Sequence, residues 1–195
     1  MKKLFLLTFL FPLLLVAQRH EVFIDAGIYQ VVYSEVLQQP LEVKYKVQCP
    51  NGTASRAGMD FYVVDSVITS DNKDYENNVW DKGHMAPAAD FNCSTEMLRK
   101  TFSYLNCSLQ HQDLNRGIWR LLEARERELA KRGTVEVRIL PEYKGATKLP
   151  SGAYVPVGYY KTIYLNGKPF ECYYFPNEKP AYKSFNNYKI PTCSN

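Results

Sequence analysis

The chain contains three histidines, and one of them has neighbours suited to chemistry. His84 closes the tetrapeptide Asp81-Lys82-Gly83-His84, after a stretch rich in Asp and Asn and before Met85-Ala86-Pro87. An Asp three residues ahead of an imidazole can orient it, and a glycine between them lets another backbone approach. Downstream stand Asn106 and then Asn115, Trp119 and Glu123. The last three are spaced i, i+4 and i+8, which places them on one helix face. Two polar groups on a face that otherwise packs need partners or a task. A neutral imidazole, with a pKa near ~6.5, takes a proton from water at neutral pH. A hard cation such as Mg²⁺ takes oxygen ligands and keeps most of its waters, so a single Asn carbonyl can hold it. Such a cation stabilises charge on a phosphoryl group and its leaving oxygen. A His, an Asn and a Glu behind a loop therefore suit metal-assisted attack of water on a phosphodiester.

These residues need elements to position them. Residues 28–33 are β-rich, and Leu41, Val43, Tyr45 and Val47 alternate with Glu42, Lys44 and Lys46, the pattern of a half-buried strand with Pro40 at the turn before it. Residues 60–68 also lean to β, and 69–78 read as a polar loop. From Asp113 to Arg132 the apolar positions Leu114, Ile118, Leu121, Leu122 and Leu129 follow helical spacing, with Asp113 as N-cap and Gly133 as stop. Glu123–Arg127 and Glu128–Arg132 are i,i+4 pairs, and the charges of this helix read as a solvated face. Val135, Val137 and Ile139 then restore a period of two. Asn166-Gly167 between two β-rich runs signals a hairpin, because both residues tolerate φ > 0. Strands, one long helix and strands again make an α+β domain.

Asp81-Lys82-Gly83-His84 resembles the Asp-Arg-Gly-His motif of the DNA/RNA non-specific endonucleases, the His-Me finger or ββα-metal nucleases that include secreted bacterial enzymes and endonuclease G. The likeness extends through YQVVYSEVLQQPLEVKY (29–45), Asp74-Tyr75, FSYLNCSLQHQDLNRGIWRLLE (102–123), VPVGYYKTIYL (155–165) and Tyr174-Phe175-Pro176-Asn177. It implies a central antiparallel sheet with a ββα-metal core and one long helix. It also implies Mg²⁺, with Mn²⁺ as a substitute, and hydrolysis of DNA and RNA that leaves a 5′-phosphate. By the same resemblance, His84 is the general base, Asn115 the metal ligand and Glu123 the support of the metal's water shell. Asn106 is the active-site Asn near the phosphate or the His. Arg56 and Lys82 stand on the substrate side, with Asp81 as the motif's leading acid that orients the loop. Lys82 replaces the motif's Arg and loses its bidentate fork. Leu109 stands where the family has Pro, and residues 138–141 replace a Gly-Pro-bearing segment, a change expected to alter only a loop.

Composition limits the alternatives. Of 195 residues 46% are hydrophobic and 23% charged, which excludes wholesale disorder, a collagen-like repeat and a multi-span membrane protein. Lys2 and Lys3 precede an uncharged run to Ala17 that is too short to span a bilayer. Residues 1–17 therefore read as a signal peptide and 18–195 as a single domain, periplasmic or secreted, without stable membrane association after cleavage. The net charge of +4 is uneven: residues 18–80 carry −4, 81–133 carry +2 and 134–195 carry +4. The basic remainder fits a polyanionic partner. Five cysteines in an oxidising compartment form at most two bridges, with Cys107, inside an apolar segment, the expected free thiol. Connectivity is open, as is the oligomeric state, a homodimer included. His20 is placed at the ragged mature N-terminus, and His111 in an exposed loop.

Overall fold

A computed structural model describes residues 21–193; the expected signal segment 1–17 and His20 lie outside them. Six strands form an antiparallel sheet in the order β1 (Glu21–Asp25), β2 (Tyr29–Ser34), β3 (Gln39–Lys46), β6 (Val135–Glu142), β9 (Gly158–Leu165), β10 (Lys168–Pro176). The alternation of 41–47 becomes β3, with Val43 and Tyr45 buried and Lys44 and Lys46 exposed. The Asn-Gly signal becomes the β9–β10 hairpin, with Asn166 and Gly167 at φ 52° and 76°. One sheet face is apolar and receives Trp119, Leu122 and Leu129 from a helix, forming the main core with Val31, Val43, Val137, Ile139 and Tyr159. Trp119 anchors that contact, 5.4 Å from the ring of Tyr159 and 5.6 Å from that of Phe175.

A second pair, β4 (Trp80–His84) and β5 (Cys107–His111), is antiparallel and feeds directly into the helical segment, giving a ββα unit. Helix α1 (Thr95–Thr101) lies between the two strands in sequence. A two-stranded finger, β7 (Thr147–Lys148) with β8 (Tyr154–Val155), precedes β9. Among the described residues no helix is long and apolar enough to cross a membrane.

Four details depart from the sequence reading. Residues 60–68 form no strand, only a bridge from Tyr62 to Ser103. Val63 and Ile68 are exposed, so their β-branched side chains have no sheet face to cover. Pro40 lies inside β3, at a register shift against β2, rather than in the turn before it. Residues 138–141 belong to β6 and not to a loop. The long helix is broken into α2 (Gln112–Leu114), a π-helical turn Asn115–Trp119 and α3 (Arg120–Ala130), with non-helical dihedrals at Gly117. Its N-cap is His111, which closes β5 and accepts the Asp113 N–H on Nδ1 at 3.2 Å.

Two disulfides, Cys49–Cys93 and Cys172–Cys193, leave Cys107 as the free thiol. Its Sγ lies 3.2 Å from the Tyr75 hydroxyl, and burial pushes the thiol up to about 12, so it stays protonated and inert. The Cys172–Cys193 bridge ties the C-terminal segment to β10, where the Ile190 N–H also bonds the Cys172 carbonyl.

Candidate active site

A cleft of about 900 Å³ runs between the ββα unit and the loop of residues 47–71, and it gathers most of the expected residues. His84, Asn115, Glu123, Lys82 and Arg56 all line it. Asp81 and Asn106 act on it from behind.

His84 is the last residue of β4. Its ring is gripped by Phe61 and Phe102, each with its centroid 4.8 Å away. Nε2 is fully enclosed and has no hydrogen-bond partner, so of the two ring nitrogens only Nδ1 can serve the cleft. Burial, and next the positive charge of Arg56, hold the imidazole down at about 3. It is a neutral base throughout the physiological range.

The strand that delivers His84 depends on Gly83. A Cβ there would stand 2.6 Å from both Cβ and Oε1 of the fully buried Gln110 on β5. Gly83→Ala should therefore force the two strands apart, cost about 1–3 kcal/mol and displace His84. A lower midpoint in urea unfolding, with slower cleavage, is the expected result; an unchanged midpoint would mean the strands yield freely.

Asn115 opens the π turn. Its Nδ2 donates to Asp81 Oδ2 at 2.9 Å, while Arg116 binds both oxygens of the same carboxylate at 2.8 and 2.6 Å. With the amide nitrogen committed, Oδ1 is left to face a ligand. Asp81 thus orients the amide of Asn115, with both its oxygens engaged by Asn115 and Arg116.

The π turn also sets the phase of Glu123. In a straight α-helix residues eight apart stand about 80° apart around the axis. The kink at Gly117 breaks that straight-helix phase and brings Asn115 and Glu123 to the same cleft. Both then meet the cleft, while Trp119 between them is buried in the core. Burial pushes the Glu123 carboxyl up to about 7, opposed chiefly by the buried charge of Lys161.

Asn106 does not reach the cleft. It is fully buried, accepts from the Ala86 N–H at 2.7 Å and donates to the carbonyls of Ala86 and Thr101 at 2.8 and 3.0 Å. These bonds spend both amide hydrogens and pin the backbone just after His84. Lys82 lies at the cleft wall, but its ammonium is engaged by Asp60 at 3.1 Å and by Asn72, over the rings of Phe61 and Tyr104. It holds the Asp60–Phe61 segment against His84.

Three cleft arginines escaped the sequence reading. Arg116, Arg120 and Arg127 line the cleft, the last paired with the buried Asp90 at 2.8 Å rather than with Glu123. Glu128 likewise pairs with Lys131, at i,i+3, rather than with Arg132. The signal for the arginines was present, since 116, 120, 123 and 127 step by four, three and four along one helix stripe. Phe61 left no such trace, because nothing local ties it to His84.

The DNA/RNA non-specific endonuclease family model matches residues 16–193. The chain belongs to that family. Mitochondrial nuclease EXOG of Xenopus laevis is 38% identical over 69 residues, covering 35% of this chain and 19% of the relative. The nuclease of Serratia marcescens is 27% identical over 125 residues, covering 56% and 45%. The match to EXOG thus spans about a fifth of that relative's length. A crystal structure of the EndoG/EndoGI complex superposes with a TM-score of 0.76 at 25% identity, over 87% of this chain and 80% of the other. The endonuclease fold thus accounts for the large antiparallel sheet, the ββα unit and the helix that brings Asn115 and Glu123 to His84.

Proposed function

We propose that this endonuclease-family chain is an exported, Mg²⁺-dependent enzyme that hydrolyses phosphodiester bonds in DNA and RNA with little sequence preference. One observation carries the reading: a neutral His84 shares a cleft with an Asn115 whose amide nitrogen is already spent on Asp81.

The donor set fits a hard cation. Among the described residues no group of three or more His, Cys, Asp or Glu could hold a metal, so a soft-ligand zinc centre has no support here. An amide oxygen from Asn115, with Glu123 beside it to accept from water ligands, suits Mg²⁺ or Mn²⁺. When bound, the cation would neutralise charge on the phosphate and the leaving oxygen. The remaining work falls to the protein's own groups. His84 takes the proton of the attacking water. Arg56 and Arg120 meet phosphate oxygens across the cleft without reading bases. Phe61 and Phe102 keep the imidazole dry and neutral until substrate arrives.

The reading of residues 1–17 as a signal peptide and the two disulfides support export to the periplasm or the external medium. Purified residues 18–195, incubated with plasmid DNA and with RNA, should cleave both in Mg²⁺ and neither after chelation. Binding should weaken as salt rises. Cleavage that persists in excess chelator would overturn the metal assignment, and binding without cleavage would reduce the chain to a polyanion-binding relative.

A further inference from the structure

Beneath the helix that carries Glu123 lies a fully buried ion pair. Lys161, from β9, places its Nζ 2.7 Å from Glu126 Oε1, and both side chains have no solvent exposure. The other carboxylate oxygen, Oε2, accepts from the Tyr45 hydroxyl of β3 at 2.6 Å. The same ammonium sits 4.2 Å above the ring of Trp119, the last residue of the π turn. Two strands separated by β6 therefore grip one helix carboxylate from both sides. Trp119, Glu123 and Glu126 are spaced i, i+4 and i+7, so this grip acts on the helix stripe that bears Glu123.

Stability does not explain such a pair, because burying two charges usually costs as much as their attraction returns, and apolar replacements are often neutral or better. This grip does what an apolar contact cannot: the ammonium draws one carboxylate oxygen to one point on the sheet and the Tyr45 hydrogen bond to the other oxygen fixes its direction, whereas hydrophobic contact is non-directional. The helix needs that direction. Past Gly117 its phase depends on how the π turn settles, and a shift of one residue would swing Glu123 away from the cleft by about 100°.

We propose that Lys161 is a positioning residue for the phosphodiester site: by holding Glu126 against the sheet it sets the rotation of α3 beyond Gly117 and aims Glu123 into the cleft. The assignment rests on the nuclease reading above. It deepens that reading by naming a residue that touches neither substrate nor metal.

The test is the paired variant Lys161→Met with Glu126→Gln, which removes both charges and leaves Tyr45 a partner. It should fold with a melting temperature close to wild type. Its Mn²⁺ affinity, measured without substrate by electron paramagnetic resonance, should fall about tenfold or more, as should kcat, with KM for DNA little changed. A folded double variant that matches wild type in Mn²⁺ affinity and kcat would overturn the assignment. If the double variant does not fold, Lys161→Gln with Glu126→Gln replaces the ion pair by two amides and keeps the Tyr45 bond. It should lower kcat and Mn²⁺ affinity several-fold, and unchanged values would overturn the assignment equally. A wild-type chain that cleaves nothing would overturn the nuclease reading instead, and the Mn²⁺ titration compares the proteins whether or not either cleaves.

Discussion

Replacing His84 by alanine should lower the single-turnover rate of plasmid cleavage by ~10²–10⁴-fold, the usual worth of a positioned general base, while leaving the fold in place. The ring makes no hydrogen bond at Nε2, and its described ring contacts are with Phe61 and Phe102. Two opposing terms therefore meet on its removal. Packing against two phenyl rings is forfeited, and an unpaired buried nitrogen, worth about 1–3 kcal/mol of penalty, disappears with it. The urea midpoint should move little. A folded variant that cleaves within about tenfold of wild type would remove His84 from the chemistry.

Glu123 should reveal itself in the pH dependence of stability. Its folded carboxyl sits near 7 against about 4.5 unfolded. Between those values the folded chain holds a proton that the unfolded chain has released. The stability contributed by the neutral carboxyl is full below pH 4.5 and lost as pH rises to about 7. His84 runs the other way. Its folded value of about 3 against 6.5 unfolded gives a contribution that is full above 6.5 and lost as pH falls toward 3. Comparing wild type with Glu123→Gln in chelator isolates the first effect. The two should melt alike at pH 4. At pH 8 the variant should be more stable by on the order of 2–3 kcal/mol, which for a domain of this size is about 2–4 °C for each kcal/mol. Equal differences at the two pH values would show that Glu123 is not enclosed as described.

The strands were legible where one face is buried, because alternation is then forced: β3, β6 and the Asn166-Gly167 hairpin follow directly. Residues 60–68 carry the same β-branched chemistry but meet no sheet, so their composition misled. Trp80–His84 and Cys107–His111 were hidden for the opposite reason, since a pair this short, with the Gln110 side chain lying diagonally over Gly83, shows no clean period. Motif spacing singled out His84, Asn115 and Glu123, which line one cleft. It could not show that Asn106 spends its amide on Ala86 and Thr101, nor that Lys82 is committed to Asp60. Ala86 lies 20 residues from Asn106 and Asp60 lies 22 from Lys82, so neither commitment shows in local spacing. The break at Gly117 has no signature in apolar periodicity, because Leu114, Ile118 and Leu122 keep helical steps across it.

The Cys172–Cys193 bridge has a consequence for survival among proteases. The segment it closes presents Lys183 and Lys189 at the surface, each an invitation to a trypsin-like enzyme, whereas Lys179 is shielded by the proline that follows it. A cut at either opens the main chain but not the covalent ring. The severed piece stays tethered to β10, with the packing of Phe185 and Tyr188 on Tyr173 and Phe175 still available to it. A chain exported as proposed would thus outlast its first nick, and only reduction would release the fragment.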